Sequence, residues 1–498
     1  MTPGEIVAII IAGVIALFFT ALIIRTALNK PKHAPVELAP PVQIDKDKAV
    51  QHLREAVRIP TVSMVEDYVD NVEPFIDYRN WLEKAYPLLN EKAERTIIAD
   101  YSIIYHLKGK NPALKGGCYL SHIDVVPAPV DGWEHPPFSG ELTDDGYIYG
   151  RGTQDMKGHM IALLEAVEYH LSQGKVFDRD LYLCFGHDEE PGTSIVGASS
   201  IVKHLKDKGV EIEFVIDEGG TVLDGKMLGI PHTVALIGAA EKGNGDLEIV
   251  VRKSGGHASN PNPPTADGVL ANAICKIEKN PMKTRWTALT KETFKELSPY
   301  CGGSALGRIF KFALTNRDVM SPLVKFIFTL AAPMTNALVR TTFAPTMLWG
   351  SDARNVIPKE AKVNVNYRMI TGEKAEDVKA YLEKLLKKDV KKGRVEVKLL
   401  NYSNPSAEAD VHCTAYENIR RSILETFDDI VVAPYMFIAA SDARFYNPLT
   451  DNVFRFGPFI NSLDDQARIH GINERLHVDQ LEKATAFFIR CLDNTLAE

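Results

Sequence analysis

The sequence predicts an α/β chain: a mixed, mostly parallel sheet that carries a smaller α+β insert, with an N-terminal transmembrane helix ahead of both. Three observations carry that reading. The N-terminus holds a long uncharged run, strand-like and helical segments alternate between about residues 117 and 216, and alternating strands of a different character take over from about Lys242.

The uncharged run spans residues 6–24 (IVAIIIAGVIALFFTALII). At ~1.5 Å rise per residue it extends about 28 Å, close to the hydrocarbon thickness of a bilayer. A cleaved signal peptide would have a shorter apolar core, a basic leader and a small-residue cleavage site. Here the leader MTPGE is not basic and the run ends at Arg25, so residues 1–30 read as a single-pass anchor. Arg25, Lys30 and Lys32 follow the run, which by the positive-inside rule favours a cytoplasmic main domain, while one short tail leaves the side of the membrane open. Residues 31–44 are proline-rich and read as an extended linker.

A helix is expected over Lys46–Arg58, with Ala49, Leu53, Ala56 and Val57 on one face. Strands are expected at Gly117–Ser121, Tyr147–Tyr149, Leu181–Phe185 and Phe214–Ile216, with helices over Met156–His170 and Ser194–Lys208 between them. Beyond Lys242, the strands LEIVVRK and AKVNVNYRM are each followed by a helix, Ala266–Glu278 and Ala375–Leu386. Residues 242–403 therefore form a lid domain inserted into a catalytic domain made of 45–241 and 404–498. The apolar stretch 323–338 is broken by Lys325 and Pro333 and is too short for a second span. It reads as a core or groove-lining helix, with a lipid-facing role as a further reading.

Composition narrows the function. The chain has 498 residues, a net charge of −8, 45% hydrophobic and 24% charged residues. That is ordinary globular usage, and a mildly acidic chain without a basic tract is a poor nucleic-acid binder. The six cysteines form no C-x-x-C pair and read as free thiols.

Chemistry gathers where the strands end. His122 and Asp124 close the first strand, Asp155 follows a glycine turn before a helix, Glu189 and Glu190 close the third, Asp217 closes the fourth, and His470 comes late. Each alone has a bland reading: a turn, a helix cap, a solvated acid pair. Together they converge, because ligands of an open α/β sheet bind outside the carboxyl ends of its strands. Carboxylates crowded there repel unless a cation neutralises them. A nitrogen/oxygen set without thiolate suits Zn²⁺, with Mn²⁺ or Co²⁺ as substitutes, and so many acids suit two metals sharing a bridging carboxylate.

The motifs RIPTVS (58–63), SHIDVVP (121–127), PPFSG (136–140), DGYIYGRGTQDMKG (145–158), HDEEPG (187–192), VIDEGG (215–220), SGGHAS (254–259), NVIP (355–358) and RIHGINE (468–474) occur in that order. In these the sequence resembles the co-catalytic di-zinc metallopeptidase family of glutamate carboxypeptidase, aminoacylase and carboxypeptidase S. HIDVVPAP, GHDEE, NAL-x-RTT (336–342) and IHG-x-NE are shared with its branch of N-fatty-acyl-amino-acid synthase/hydrolases and carboxypeptidase S-like enzymes. The resemblance implies a ferredoxin-like lid and two Zn²⁺ per subunit, with Asp155 bridging. His122 and Asp217 would complete one site, Glu190 and His470 the other. Glu189 would be the general base, Asp124 would hold the His122 ring, and His257 would reach over from the lid, or from the partner of a lid-mediated homodimer, to stabilise the oxyanion. Asn355 and Arg368, and more weakly Arg444, would bind the substrate carboxylate. The implied reaction is amide hydrolysis of N-acyl amino acids. The alternative is a carboxypeptidase or dipeptidase acting on short peptides. The stretch 323–338 is weighed equally as an acyl groove and as lid core or dimer surface.

Overall fold

A computed structural model of the chain describes residues 1–63, 71–191, 196–331 and 333–498. Its large sheet runs in the order Glu94–Ile98, Ser102–Leu107, Leu181–Gly186, Gly116–His122, Ile212–Asp217, Val453–Arg455, Thr233–Glu241, Ile430–Phe437, with Thr221–Asp224 paired off the path to Thr233–Glu241. The central neighbours Leu181–Gly186, Gly116–His122, Ile212–Asp217 and Val453–Arg455 are parallel, and antiparallel pairings flank them. The sheet is thus mixed around a parallel centre.

Alternation along the central strands feeds a core on each face. Tyr119, Leu183 and Ile216 face one core, with Met160, Leu164 and Phe488. Cys118, Cys184 and Val215 face the other, with Ile201 and Leu205. This double burial explains why these strands read as continuous apolar runs. Cys118 and Cys184 fill space as small hydrophobes, and all six cysteines are free thiols. The helix Lys157–Ser172 is enclosed on nearly all sides, packed against the sheet and the helices Lys46–Arg58 and Val478–Thr495. The helix expected over Ser194–Lys208 is found at Gly197–Asp207, and residues 194 and 195 lie outside the described ones.

Strand Gly116–His122 lies between Leu181–Gly186 and Ile212–Asp217, the next two strands of the large sheet along the chain. The crossover direction reverses beside it, which opens a crevice at the carboxyl ends of the three. His122 sits opposite Gly186 across one pair, so the turn carrying Glu189 and Glu190 rises next to it.

The second sheet has the order Thr342–Trp349, Glu360–Met369, Gly243–Arg252, Val395–Ser403, all antiparallel. Helices Ala266–Lys279 and Ala375–Leu385 join its core of Leu247, Val363, Val365, Val269 and Leu382. This β-α-β-β-α-β arrangement is ferredoxin-like. The insert does not pack as one body, however. Between Ala266–Lys279 and Thr342–Trp349 the chain leaves the small sheet and forms helices Ala288–Leu297, Ala305–Thr315, Ser321–Ala331 and Pro333–Val339. Phe294, Leu297, Val324 and Phe328 join Leu236, Val431 and Ala433 in a core on the large sheet. Sequence reading could not see this, because an amphipathic helix does not name the sheet it will cover.

The N-terminal helix, Pro3–Leu28, is exposed along its length except at Leu22 and Thr26, and is long and apolar enough to cross a membrane. The linker that follows is extended and pinned where Ala39 N donates to Glu425 O and Arg490 Nη2 donates to Pro40 O.

Candidate metal centre

His122 is the last residue of its strand and is 1% exposed. Its Nδ1 lies 2.9 Å from the backbone oxygen of Asp124 and 3.4 Å from Asp124 Oδ1, so carbonyl and carboxylate together hold the ring. Its Nε2 points into the crevice, 3.2 Å from Asp155 Oδ1 and 3.2 Å from Glu218 Oε1.

Asp124 does more than orient that ring. Ser63 Oγ donates to its Oδ2 at 2.6 Å, and the backbone N–H groups of Glu189 and Glu190 donate to its carboxylate at 3.3 and 3.1 Å. One buried side chain therefore fixes both the histidine and the turn bearing the two glutamates. Burial works to raise its pKa, but hydrogen bonding with His122 and the other donors outweighs that and holds it low.

Asp155 is presented by the loop 150–156, and the buried carboxylate that organises this loop is Glu474. Its Oε1 accepts the N–H groups of Gly152, Gln154 and Asp155 at 3.0, 2.9 and 3.2 Å, and its Oε2 accepts Arg151 Nη1 at 2.6 Å. Asp155 is left with its two oxygens on different partners. Oδ1 faces His122, and Oδ2 lies 2.9 Å from His470 Nε2. His470 has a positive φ of 60° and also lies 3.0 Å from Glu190 Oε2.

The electrostatics of the cluster are those of crowded acids. Burial pushes Glu189 well up, Glu190 up to about 7 and Glu218 up to about 8, with neighbouring carboxylates adding to each. For Asp155 the burial penalty is overcome by hydrogen bonds from His122 and His470, which hold it far below the usual carboxylate range. Hydrogen bonds to Asp155 and Glu190 raise His470 to about 10. Glu190 Oε1 is buried without a hydrogen-bond partner. An oxygen in that position, beside acids that hold protons near neutrality, suits a divalent cation that displaces those protons. His122, Asp155 and Glu190 offer ligand atoms within 4.8 Å of one another, as do His122, Glu189 and Glu218.

The structure thus brings together His122, Asp124, Asp155, Glu189, Glu190 and His470. It does not bring Asp217 to the same place. Asp217 has the parity of Val215, which faces the core under the Gly197–Asp207 helix, and its Oδ2 accepts Ala443 N–H at 2.8 Å. The next residue, Glu218, takes the position beside His122. In a strand a shift of one residue reverses the face, and the sequence DE offers two acids with nothing to choose between them. Glu474, which ties down the Asp155 loop, was not singled out either, although it closes the RIHGINE motif.

Of the lid residues, His257 is exposed in a short ribbon (Gly256–His257 with Val356–Ile357), its Nδ1 2.7 Å from Ser259 Oγ. Asn355 is exposed on the same ribbon, where its backbone oxygen accepts Ala258 N–H. Their contacts lie within the lid. Arg368 is half-buried on Glu360–Met369, and its pKa is lowered by burial and then by the Arg444 guanidinium of the large domain. These two cations, from separate parts of the chain, therefore lie near enough to repel each other.

The profile of peptidase family M20/M25/M40 matches residues 118–494. The "Probable carboxypeptidase S-like 2" of Dictyostelium discoideum is 34% identical over 506 residues, covering 99% of this chain and 95% of that protein. The N-fatty-acyl-amino acid synthase/hydrolase PM20D1 of Xenopus tropicalis is 33% identical over 500 residues, covering 99% and 95%. Among solved structures, an M20 family metallo-carboxypeptidase of Sulfolobus solfataricus, Sso-CP2, superposes with a TM-score of 0.64 at 18% identity, covering 90% of this chain and 99% of that one. Human carnosine dipeptidase 1 does so with 0.60 at 18%, covering 91% and 96%. These structures share the fold. With the profile spanning well over half of the chain and relatives a third identical along nearly all of it, the protein is a metal-dependent hydrolase belonging to peptidase family M20/M25/M40.

Proposed function

We propose that the protein hydrolyses the amide bond of N-acyl amino acids at a pair of divalent cations, zinc foremost. The observation that carries this is Asp155, whose two oxygens face different histidines at 3.2 and 2.9 Å, as suits a carboxylate shared between two ions. In this reading His122 and Glu218 hold one ion, Glu190 and His470 the other, and Asp155 both. When bound, the pair supplies Lewis acidity toward the amide carbonyl and lowers the pKa of water.

The chain's own residues do the rest. Glu189, enclosed beside His122 and Glu218, takes the proton of the attacking water and passes it to the leaving amine nitrogen. Arg368 and Arg444 bind the substrate's free carboxylate, where a guanidinium fork matches two oxygens. Residues 45–241 and 404–498 supply the centre, and the small sheet of the 242–403 insert supplies Arg368. His257 meets a bound substrate after lid closure or from a second subunit. Restored turnover on mixing His257→Ala with Glu189→Gln protein identifies the second route. The N-terminal helix serves as a membrane anchor.

The fatty-acyl specificity is supported by the PM20D1 relatives. The carboxypeptidase S-like relative is equally similar, which keeps peptides with a free C-terminal carboxylate as the second reading. The test is the full-length protein with N-acyl glycines of rising chain length, with dipeptides and with carboxamide analogues, each with and without chelator. Turnover that rises with acyl length supports the first reading. Faster cleavage of dipeptides supports the second, and indifference to chelator refutes both.

A further inference from the structure

The helices that leave the lid meet the N-terminal helix at a telling level. Asn316, fully buried, donates through Nδ2 to Leu22 O at 3.4 Å and to Thr26 Oγ1 at 2.9 Å. Asn29 Nδ2 donates to Ser298 Oγ and Thr315 Oγ1 at 2.9 and 2.8 Å, and Arg25 pairs with Asp318 at 3.3 Å. Leu22 belongs to the apolar run, roughly 4.5 Å of helix before its first flanking charge, Arg25. A body that covers Leu22 therefore stands at the depth where the run leaves hydrocarbon.

That body is apolar on its outside. Leu306 and Ile309 on Ala305–Thr315 are 54% and 60% exposed. Leu323, Phe326 and Leu330 on Ser321–Ala331 are 49%, 59% and 70% exposed. The spacings i, i+3 and i, i+3, i+7 make one outward stripe on each helix. The inner stripe of the second already has its partners, with Phe328 edge-on to Trp286 and Phe294. Residues 305–334 carry Arg308, Lys311, Arg317 and Lys325 against the single acid Asp318, itself paired with Arg25, in a chain whose net charge is −8. Apolar stripes with a local basic excess are the chemistry of an interfacial helix on anionic lipid.

We propose that these two helices are a second membrane contact: with Pro3–Leu28 in the bilayer, their outward stripes enter the headgroup–acyl boundary of the leaflet from which that helix emerges. The proposal rests on the anchor reading. It holds the large sheet that these helices cover beside the surface into which amphiphilic acyl substrates partition.

The test uses the full chain in vesicles of phosphatidylcholine and phosphatidylglycerol, with a nitroxide at Ile309→Cys or Phe326→Cys in a Cys275→Ser background. Val14→Cys reports the span, and Lys203→Cys, 78% exposed on the soluble part, reports water. Replacing exposed side chains leaves the fold intact, which the thermal midpoint verifies. Collision rates with oxygen, which concentrates in lipid, and with a water-soluble nickel chelate are compared. The expected result is an oxygen-to-nickel ratio at 309 and 326 several-fold above that at 203 and of the same sense as at 14. Nickel access at 309 and 326 equal to that at 203 overturns the proposal, as does shielding from both reagents, which marks a protein partner such as a second copy. Nickel access at 14 overturns the anchor reading, and the proposal with it.

Discussion

Glu474 meets the candidate ligands only at the backbone N–H of Asp155, yet it is the residue on which the presentation of Asp155 depends. Glu474→Gln keeps its size and removes one acceptor oxygen. The wild-type carboxylate splits its work: Oε1 serves three backbone N–H groups and Oε2 serves the Arg151 guanidinium. An amide has one oxygen, so its NH2 must face either the three N–H groups or the buried cation. Arg151 and Glu474 are 1% and 0% exposed, so no water relieves the mismatch. Breaking a buried pair from one side costs about 3–5 kcal/mol. Unfolding entropy of roughly 2.1 cal/mol/K per residue gives about 1 kcal/mol/K for this chain, so the thermal midpoint should fall by about 3–5 °C. The half-buried surface acid Glu482, paired with Lys46 at 3.1 Å, serves as control when substituted by Gln and should move it by less than about 1 °C. The second readout is metal affinity by competition with a chelator, which should weaken by about 10- to 100-fold as the Asp155 loop relaxes. A Glu474→Gln protein with the control's midpoint and wild-type metal affinity would show that Glu474 does not organise this loop.

The remaining predictions follow from the same geometry. Glu218→Gln should lower bound metal from two ions to one per chain by elemental analysis, while Asp217→Asn keeps two; the reverse pattern returns the ligand role to Asp217. Glu189→Gln should retain both ions and lose about 10²–10⁴-fold in kcat, and near-normal turnover removes Glu189 as the base. Arg368→Ala and Arg444→Ala should each cost about 1.5–3 kcal/mol in kcat/KM toward substrates with a free carboxylate and little toward their carboxamides. Lys242 is buried, and desolvation lowers its pKa to about 7 from 10.5. Between those values the unfolded chain binds more protons than the folded one, so stability rises with pH across that window by up to ~1.4 kcal/mol per unit. Lys242→Met should flatten that slope in denaturant titrations from pH 7 to 10, and an unchanged slope rules out the neutral buried amine.

Much of the fold was legible because the signals were local. The helix Lys46–Arg58 runs between the residues expected, and Ala266–Lys279 and Ala375–Leu385 end within a residue of their expected positions. Their amphipathic period is intact and their boundaries carry turn chemistry. The convergence of His122, Asp155, Glu190 and His470 was legible for a different reason. Parallel strands deliver their carboxyl ends to one crevice, so strand-end acids and histidines announce the site before any contact is known. What spacing alone does not decide is which of two neighbours faces the crevice. Asp217 and Glu218 differ by one step of a strand, and the choice rests on the side chain's final direction, here taken by the Ala443 N–H.

The amino-acid sequence by itself determined the family resemblance, the alternation of strands and helices, and the apolar N-terminal helix, because each follows from residue type, motif order and spacing along the chain. Only the tertiary structure decided that Glu218 stands beside His122, that Glu474 ties down the Asp155 loop, and that the helices after Ala288 abandon the small sheet for the large one. Those outcomes depend on which buried donor meets which acceptor, and on which of two apolar faces a helix covers. Both are competitions among groups hundreds of residues apart, and a linear pattern does not record the winner.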